Sequence, residues 1–450
     1  MGWSLAIAVR LTYFPFVQVT SDTLSPFVGA IRWLHTGWFQ PANPESDQWL
    51  WFLSLPLVWI ADGLGSLFWW KCIATTVVVP VSMWLVGKQV QTHKLFWMLM
   101  MAMVLTLDMG LVDTMLSGFR GYWAPECMAF ACVGLWQWGR GKVFGAHVTT
   151  VFTIVGMGQH PLVLGCGLSL VWLWYQMYKR GESWWLSVLL AVLFLVPRMF
   201  WVWELLQCDA GGWACIQEIS VSSSEATSTV ELLERVVVDR LWIEMGLASG
   251  IMLLGWYRST EKSFQSWIIW SVVGVVLLGL SVSTLRPYHF RVLIVPMFLF
   301  AVDGLSKWGG LGRVLGACWM VMVLWYRIEP VDWYTTVEET DEVAGFLCAQ
   351  TEPIWLEGYG ESLDVSPQSV GVSMILQGCE VTFASSPTEK LWVLQQTDRF
   401  NTTDIQWQNN GYQLLLVTKE DWMKVPASQQ WSGHDLAILQ WHPNQVQLEW

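Results

Sequence analysis

The chain has 450 residues, of which 54% are apolar and 13% are charged, and its net charge at neutral pH is −12. So few charged residues cannot form a polar surface around a folded chain of this length in water. The composition therefore excludes an ordinary water-soluble protein and indicates a membrane protein. The acidic balance also excludes nucleic acid as a partner.

Long apolar stretches fill the first 327 residues. A helix that spans a bilayer needs about 20 mainly apolar residues. The segments that meet or approach this length are 1–19, 67–87, 95–108, 122–138, 145–158, 162–178, 183–203, 237–257, 264–283, 287–304 and 311–327. The sequence therefore predicts a polytopic α-helical membrane protein with about eleven transmembrane helices and additional interfacial helices.

Basic residues in short loops predict the orientation, because Lys and Arg are retained on the cytoplasmic side. The loops with basic pairs hold Lys88 with Lys94, Arg140 with Lys142, Lys179 with Arg180, Arg258 with Lys262, and Lys307 with Arg313. All five loops fall on the cytoplasmic side of the membrane only if the apolar stretch 48–65 does not span it. We therefore expect 48–65 to lie at the outer interface. The expected outward segments are 20–66, 108–121, 159–161, 206–236, 284–287 and the tail from about residue 328.

The tail differs from the rest of the chain, since residues 329–450 hold 18 acidic and 4 basic side chains. A helix-like stretch around Val337 to Ala349 is followed by the strand-like PIWLEGY, by 365–376, and by EVTFA, LWVLQ and YQLLLVT. This alternation predicts a small extracytoplasmic α/β domain. The predicted domains are thus 1–328 and 329–450, and the second has no recognisable catalytic motif.

Four cysteines fall in predicted outward segments, where the surroundings are oxidising. They predict two disulfides, Cys208 to Cys215 and Cys348 to Cys379. The other five lie in apolar segments and are expected to be small buried hydrophobes; they are Cys72, Cys127, Cys132, Cys166 and Cys318.

Asp22 directly follows the first apolar segment, in the stretch VTSDTLSPFVGAIRWLHTG. The apolar pattern from Leu24 to Leu34 predicts an amphipathic interfacial helix. The local sequence favours a capping role, in which Asp22 or Ser21 accepts hydrogen bonds from the first amides of that helix.

Several short motifs along nearly the full chain resemble those of a known superfamily. They are Arg10, Ser21-Asp22, Ala30, Leu34-His35-Thr36-Gly37, Asp62-Gly63-Leu64-Gly65, Arg120-Gly121-Tyr122, Gly158-Gln159-His160-Pro161 and Leu285-Arg286-Pro287-Tyr288-His289-Phe290-Arg291. With these motifs the chain resembles the membrane glycosyltransferases of the C-type fold, in particular the dolichyl-phosphate-mannose protein mannosyltransferase and lipid A aminoarabinose transferase branch. The resemblance implies transfer of a sugar from a polyprenyl-phosphate donor to a hydroxyl or phosphate acceptor at the outer leaflet.

The resemblance also implies roles for eight residues. Asp22 is the expected general base or the ligand of a divalent cation. The expected donor-phosphate ligands are Arg286, Arg291 and Arg120, and the expected substrate-binding residues are Tyr122, His160, Tyr288 and His289. Each has a plainer alternative: the arginines can extend to lipid headgroups, the tyrosines can lie at the interface, and His160 can cap a turn.

Two other functional classes stay open at this point. Arg198 and Glu126 lie in apolar segments and would suit the path of a transporter, although no repeated halves are detectable. A non-catalytic envelope-assembly scaffold of the same fold is the other alternative, because the family's Pro-Pro before the second apolar run is replaced here by Pro44-Glu45-Ser46-Asp47-Gln48. The main expectation is a glycosyltransferase of a bacterial inner membrane whose partners are a polyprenyl-linked sugar and membrane lipids. The acceptor (protein, lipid or glycan), the sugar and the cofactor are left open.

Overall fold

A computed structural model describes residues 2–13, 24, 27–31, 48–107, 123–157, 161–206, 251, 254–259, 262–281, 292–327, 337–350, 356–359, 367–379, 390–396, 405–409, 412–418, 420, 424 and 430–431. This part of the chain is predominantly helical and has one small β-sheet near its carboxyl end. The predicted helical class is confirmed, whereas the number of membrane spans stays a prediction.

Apart from the two in the tail, the longer described helices occupy the apolar stretches of the sequence. They are α1 (Gly2–Tyr13), α2 (Gln48–Ile60), α3 (Leu64–Thr75), α4 (Val78–Gln89), α5 (Lys94–Leu107), α6 (Ala124–Gly139), α7 (Val143–Gly156), α8 (Gly167–Lys179), α9 (Trp184–Leu206), α10 (Lys262–Ser281), α11 (Ile294–Ser306), α12 (Gly309–Arg327), α13 (Val337–Cys348) and α14 (Pro367–Leu376). A 3-10 helix, Pro161–Cys166, precedes α8. Predicted segment 67–87 therefore corresponds to two helices, α3 and α4, which are separated by a turn at Thr76 and Val77.

Helix length and composition single out one stretch among the described residues. Leu64–Gln89, which is 26 residues long and includes α3 and α4, is apolar and long enough to cross a membrane. The shorter apolar helices in the same part of the chain are Lys94–Leu107, Val143–Gly156, Trp184–Val196, Lys262–Leu278, Ile294–Ser306 and Gly309–Leu324.

The chain divides into two compact units. The first comprises Met1–Arg10, Asn43–Leu50 and Ile73–Val331. The second comprises Leu11–Ala42, Trp51–Cys72 and Asp332–Trp450, so it combines amino-terminal segments with the tail. The division predicted from the sequence, 1–328 and 329–450, stays a prediction.

In the first unit, neighbouring helices approach each other closely where both carry glycine. A Cβ atom added to Gly145 of α7 would lie 2.3 Å from the carbonyl oxygen of Gly134 in α6. Between such contacts the core is filled by large side chains, and Trp97, Trp267 and Trp319 are fully buried. Dispersion contacts of closely packed atoms therefore hold these helices together.

The sheet of the second unit has the strand order β3-β4-β2-β1-β5. Its strands are β1 (Leu356–Tyr359), β2 (Lys390–Gln396), β3 (Ile405–Asn409), β4 (Tyr412–Thr418) and β5 (Gln430–Trp431). β1 and β2 are parallel, with Leu356 opposite Trp392, and the other pairs are antiparallel. The mixture of helices and strands agrees with the prediction for the tail, although the predicted strand EVTFA lies outside the described residues.

Cys348 and Cys379 form a disulfide, with their Cα atoms 5.5 Å apart, which confirms one predicted pair. Cys208 and Cys215 lie outside the described residues. The prediction that the remaining cysteines are buried holds for four of them and is wrong for Cys318. Cys318 is exposed because it lies on the same outward face of α12 as Leu311 and Val314.

Glu339, in the first turn of α13, has a raised pKa, from which we predict how the stability of the protein depends on pH. Burial raises this pKa, and repulsion by Glu338 and Glu342 adds to the effect. An acid whose pKa is raised on folding binds more protons when folded, so its ionisation lowers stability as the pH rises through that pKa. We expect Glu339→Gln to be more stable than the parent protein at neutral pH.

This advantage of the Gln variant is expected to shrink as the pH falls through the raised pKa, because the protonated parent side chain then resembles the amide. Thermal melting of both proteins from neutral to acidic pH measures it. Glu420→Gln, at an exposed position, is the control for replacing a glutamate of the tail with glutamine. A Glu339→Gln advantage that is constant with pH would contradict the prediction.

Candidate functional site

A buried lysine lies on α3 in the second unit. Lys71 is 3% exposed, and its Nζ atom lies 5.5 Å from the ring centroid of Phe27 and 5.4 Å from that of Phe68. The two rings meet edge to face, with centroids 5.9 Å apart. Phe68 precedes Lys71 by three residues, so the two side chains share one face of the helix. We call Lys71, Phe27 and Phe68 the lysine site.

Phe27 belongs to a short helical segment, residues 27–31, that is buried along its length. The spacing of Leu24, Phe27, Val28 and Ile31 matches one face of a helix. Helical structure after Asp22 is therefore confirmed for residues 24 and 27–31, whereas the interfacial location of this helix stays a prediction. Phe27, one of the two aromatic residues of the lysine site, lies five residues after Asp22 in the sequence.

The surroundings of Lys71 favour interaction with an anion. Burying an ammonium group costs several kcal/mol unless other groups compensate. Each aromatic face contributes about 0.5–2 kcal/mol toward this cost. Because water is scarce around the side chain, an anion that reached it would be attracted more strongly than at the protein surface. A phosphate group is one such anion.

Lys71 is absent from the site residues predicted from the sequence, although it is the one charged residue of the apolar segment 67–87. Ionisable residues within apolar segments of membrane proteins are costly and are commonly functional. A search for such residues would have selected Lys71 together with Glu126 and Arg198.

A second feature in the first unit is the meeting point of α6 and α7. A Cβ atom added to Gly156, at the end of α7, would lie 3.2 Å from Cβ of Cys127 in the first turn of α6. The predicted residue His160 follows this end of α7 in the sequence, and Tyr122 precedes α6. The described ends of the two helices that flank these residues are therefore in contact.

The start of α6 has two unusual properties. Trp123 adopts the left-handed backbone conformation, with φ of 54°, which a bulky residue adopts at a cost of roughly 1–3 kcal/mol. Glu126 is buried in the first turn, where the helix dipole favours a negative charge. Strained backbone and buried charge next to Tyr122 are typical of functional sites.

Two other buried polar side chains in the first unit, Asp303 and His147, have partners that explain their burial. Asp303 accepts hydrogen bonds from Ser259 Oγ at 2.5 Å and from Lys307 Nζ at 2.8 Å. His147 Nδ1 lies 2.7 Å from Ser187 Oγ. The Ser259–Asp303 and His147–Ser187 contacts connect neighbouring helical segments, and the Asp303–Lys307 pair lies at the end of α11. They have no evident chemical role. The described residues include no group of three or more His, Cys, Asp or Glu side chains that could hold a metal ion.

The eight residues predicted from the resemblance all lie outside the described residues. They are Asp22, Arg120, Tyr122, His160, Arg286, Tyr288, His289 and Arg291. Their roles stay predictions. No family model matches the sequence, and no curated protein matches it either.

Proposed function

We propose that the chain is a polytopic membrane glycosyltransferase with a C-type fold. It transfers a sugar from a polyprenyl-phosphate donor to an acceptor at the outer face of a bacterial inner membrane. The proposal has two parts, a membrane location and a reaction. The exposed faces of the helices support the first part, and the lysine site supports the second.

The exposed face of α9 is apolar. Trp185, Leu189, Val192 and Val196 are spaced by four, three and four residues, and all are exposed. Ser187, on the opposite face, is buried. Large apolar side chains facing outward and a small polar one facing inward reverse the usual pattern of a helix in water. A helix surrounded by lipid tails is expected to have this arrangement.

The same pattern recurs on other helices of the first unit. On α8, Val171, Tyr175 and Tyr178 are exposed, and on α12 Leu311 and Val321 are exposed. Rows of large exposed apolar side chains on several helices are uncommon on soluble proteins. Close helix contacts at glycine are also common in membrane bundles, where small residues let the backbones approach. Together these features support the proposed membrane-spanning architecture, with about eleven spans.

The observation that carries the proposed reaction is the buried ammonium group of Lys71. In sugar transfer from a polyprenyl phosphate, the bond between the anomeric carbon and the phosphate oxygen breaks, and the lipid phosphate leaves with the electron pair. A fixed positive charge in a water-poor site stabilises the charge that develops on that oxygen. We assign this role to Lys71. Arg286, Arg291 and Arg120 are proposed as phosphate ligands from the resemblance alone.

The other half of the reaction requires a base. The acceptor hydroxyl loses its proton as its oxygen forms the new bond to the anomeric carbon, and Asp22 is the proposed proton acceptor. Tyr122, His160, Tyr288 and His289 are proposed to bind the sugar and the phosphate by hydrogen bonds. A divalent cation held by Asp22 is compatible with the same transfer.

The proposal is tested by transfer of radiolabelled sugar from a mixed pool of polyprenyl-phosphate sugars, with a membrane extract as the acceptor source. We expect the reconstituted parent protein to label an acceptor. Lys71→Met should lower the rate by about 100-fold, as loss of one transition-state partner commonly does. Asp22→Asn should lower it similarly. Lys88→Met removes an exposed lysine at the end of α4 and is the matched control.

Three outcomes decide between the classes. No transfer and no donor binding by the parent protein would refute the enzyme and leave the scaffold. Uptake of a labelled solute by the same vesicles, without transfer, would identify a transporter. Transfer that is equal in Lys71→Met and Lys88→Met would keep the enzyme and remove Lys71 from the site.

A further inference from the structure

A carboxylate from the tail caps the helix that carries Lys71. Asp341 of α13 accepts a hydrogen bond from the backbone N–H of Leu64 at 2.9 Å on Oδ1, and from that of Gly65 at 2.7 Å on Oδ2. All three residues belong to the second unit. The first amides of a helix have no acceptor within the helix, so they need one from elsewhere. We call this interaction the Asp341 contact.

The local sequence is suited to receiving a distant carboxylate. Gly63, which precedes α3, has no side chain with which to cap the helix. A Cβ atom added to Gly63 or Gly65 would lie 3.2 Å or 3.0 Å from Asp341 Oδ2. Both glycines therefore let the carboxylate approach closely. Ser66 Oγ supports the turn locally, since it accepts from the N–H of Asp62 at 2.8 Å.

The carboxylate is itself held in place by α14. Ser373 Oγ donates a hydrogen bond to Asp341 Oδ1. Gln377 Nε2 donates to the carbonyl oxygen of Asp341 at 3.1 Å and to Ser373 Oγ at 3.0 Å. A disulfide joins Cys348, the last residue of α13, to Cys379, which lies just beyond the end of α14. Both helices therefore fix the orientation of the carboxylate.

We infer that Asp341 is a positioning residue for Lys71. The lysine lies seven residues beyond Leu64, about 10 Å along the helix axis, and on the face that contains Leu64 and Phe68. A carboxylate that binds two adjacent amides restricts both the position of the first turn of α3 along the helix axis and its rotation about that axis. Because a helix is stiff over two turns, the same restriction applies to Lys71. The tail thus acts on the lysine site through α3 without touching a substrate.

This inference shares Lys71 with the proposed function, but its test does not require the reaction. Hydrogen exchange of the Leu64 and Gly65 amides reports the contact itself. Labelling of Cys72 by a maleimide reports the position of α3 next to Lys71, since Cys72 is a native buried cysteine. Cys132, buried in α6, is the internal reference. Both readouts use the full chain in lipid nanodiscs, with mass spectrometry.

Asp341→Ala is expected to speed exchange at Leu64 and Gly65 by roughly 10-fold or more, the loss expected for a hydrogen bond to a charged group. Cys72 labelling should rise, while Cys132 labelling stays constant. Asp341→Asn, which keeps one acceptor oxygen, should give a smaller acceleration. Glu338→Gln, an exposed acid in the first turn of α13, is the matched control and should behave like the parent. Ser373→Ala provides a milder second variant if Asp341→Ala does not fold.

Unchanged exchange at Leu64 and Gly65 would overturn the Asp341 contact. Faster exchange with unchanged Cys72 labelling would also overturn the inference, because it would show a cap that affects only the first turn. Faster exchange and faster labelling would support the inference even if no sugar transfer is found. Failure of the proposed reaction is therefore distinguishable from failure of this inference. If transfer is found, Asp341→Ala should lower the transfer rate of the parent protein. The same substitution should not lower the rate further in a protein that already carries Lys71→Met.

Discussion

Replacing Gly304 with alanine is expected to destabilise the first unit more than any other single substitution considered. A Cβ atom there would lie 1.5 Å from the carbonyl oxygen of Gly255 and 2.4 Å from its carbonyl carbon. These are backbone atoms, so the collision is relieved only if α11 and residues 254–258 separate. Overpacking of this kind costs about 3 kcal/mol. Thermal denaturation of the purified protein in detergent measures the loss.

Gly310→Ala is the matched control for this substitution. Gly310 lies in α12, close in the sequence to Gly304, and an added Cβ atom would meet nothing within 4 Å. Alanine is favoured over glycine in helices by about 1 kcal/mol, so this variant is expected to be as stable as the parent or slightly more stable. Equal losses in the two variants would show that the close approach is not the cause.

The helical class was predictable because hydrophobicity alone reports it. The break between α3 and α4 was not predictable from hydrophobicity, because Thr75 and Thr76 interrupt the apolar stretch only briefly. The structure gives the reason: Thr76 Oγ1 donates to the carbonyl oxygen of Ile73 at 2.6 Å and accepts from Trp3 Nε1 at 2.8 Å. A hydroxyl that bonds the backbone competes with the helix. Its partner, Trp3, is more than 70 residues away in the sequence.

In the tail, the strongly apolar strands were predictable from the sequence, whereas β3 and the two-residue β5 were not. β4 contains the continuous run Leu414, Leu415 and Leu416. β3 alternates Ile405 and Trp407 with glutamines, and its pairing with β4 is irregular between those two residues. A half-exposed, bulged strand has a short and interrupted pattern. The strand order is also absent from such patterns, because pairing partners depend on tertiary contacts.

The candidate site shows the same limit. Lys71 was visible as a charge in an apolar segment, but its aromatic partner Phe27 is distant in the sequence. Asp341 contacts Leu64 across 277 positions, and the exposed acids of the tail look alike in sequence. The charge of Asp341 therefore gave no sign of its partner. Residues joined only by folding require a structure.

The second large effect is expected from removal of the disulfide by the double substitution Cys348→Ser and Cys379→Ser. The bond joins residues 31 positions apart, and closing a loop of that length removes unfolded-state entropy worth about 3 to 4 kcal/mol. Partly buried hydrogen bonds add to this, because Ser373 and Gln377 both donate to Asp341. Denaturation of the parent and the variant, followed by tryptophan fluorescence and by proteolysis within 337–379, measures the loss.

Cys318→Ser is the control for loss of a thiol, because Cys318 is free and exposed, and its stability should equal that of the parent. A reductant should lower the stability of the parent toward that of the double variant and should leave the double variant unchanged. The double variant should also show faster amide exchange at Leu64 and Gly65 if the bond orients the carboxylate of Asp341. Equal stability of the double variant and Cys318→Ser would show that side-chain packing and hydrogen bonds, rather than the covalent link, hold α13 and α14 together.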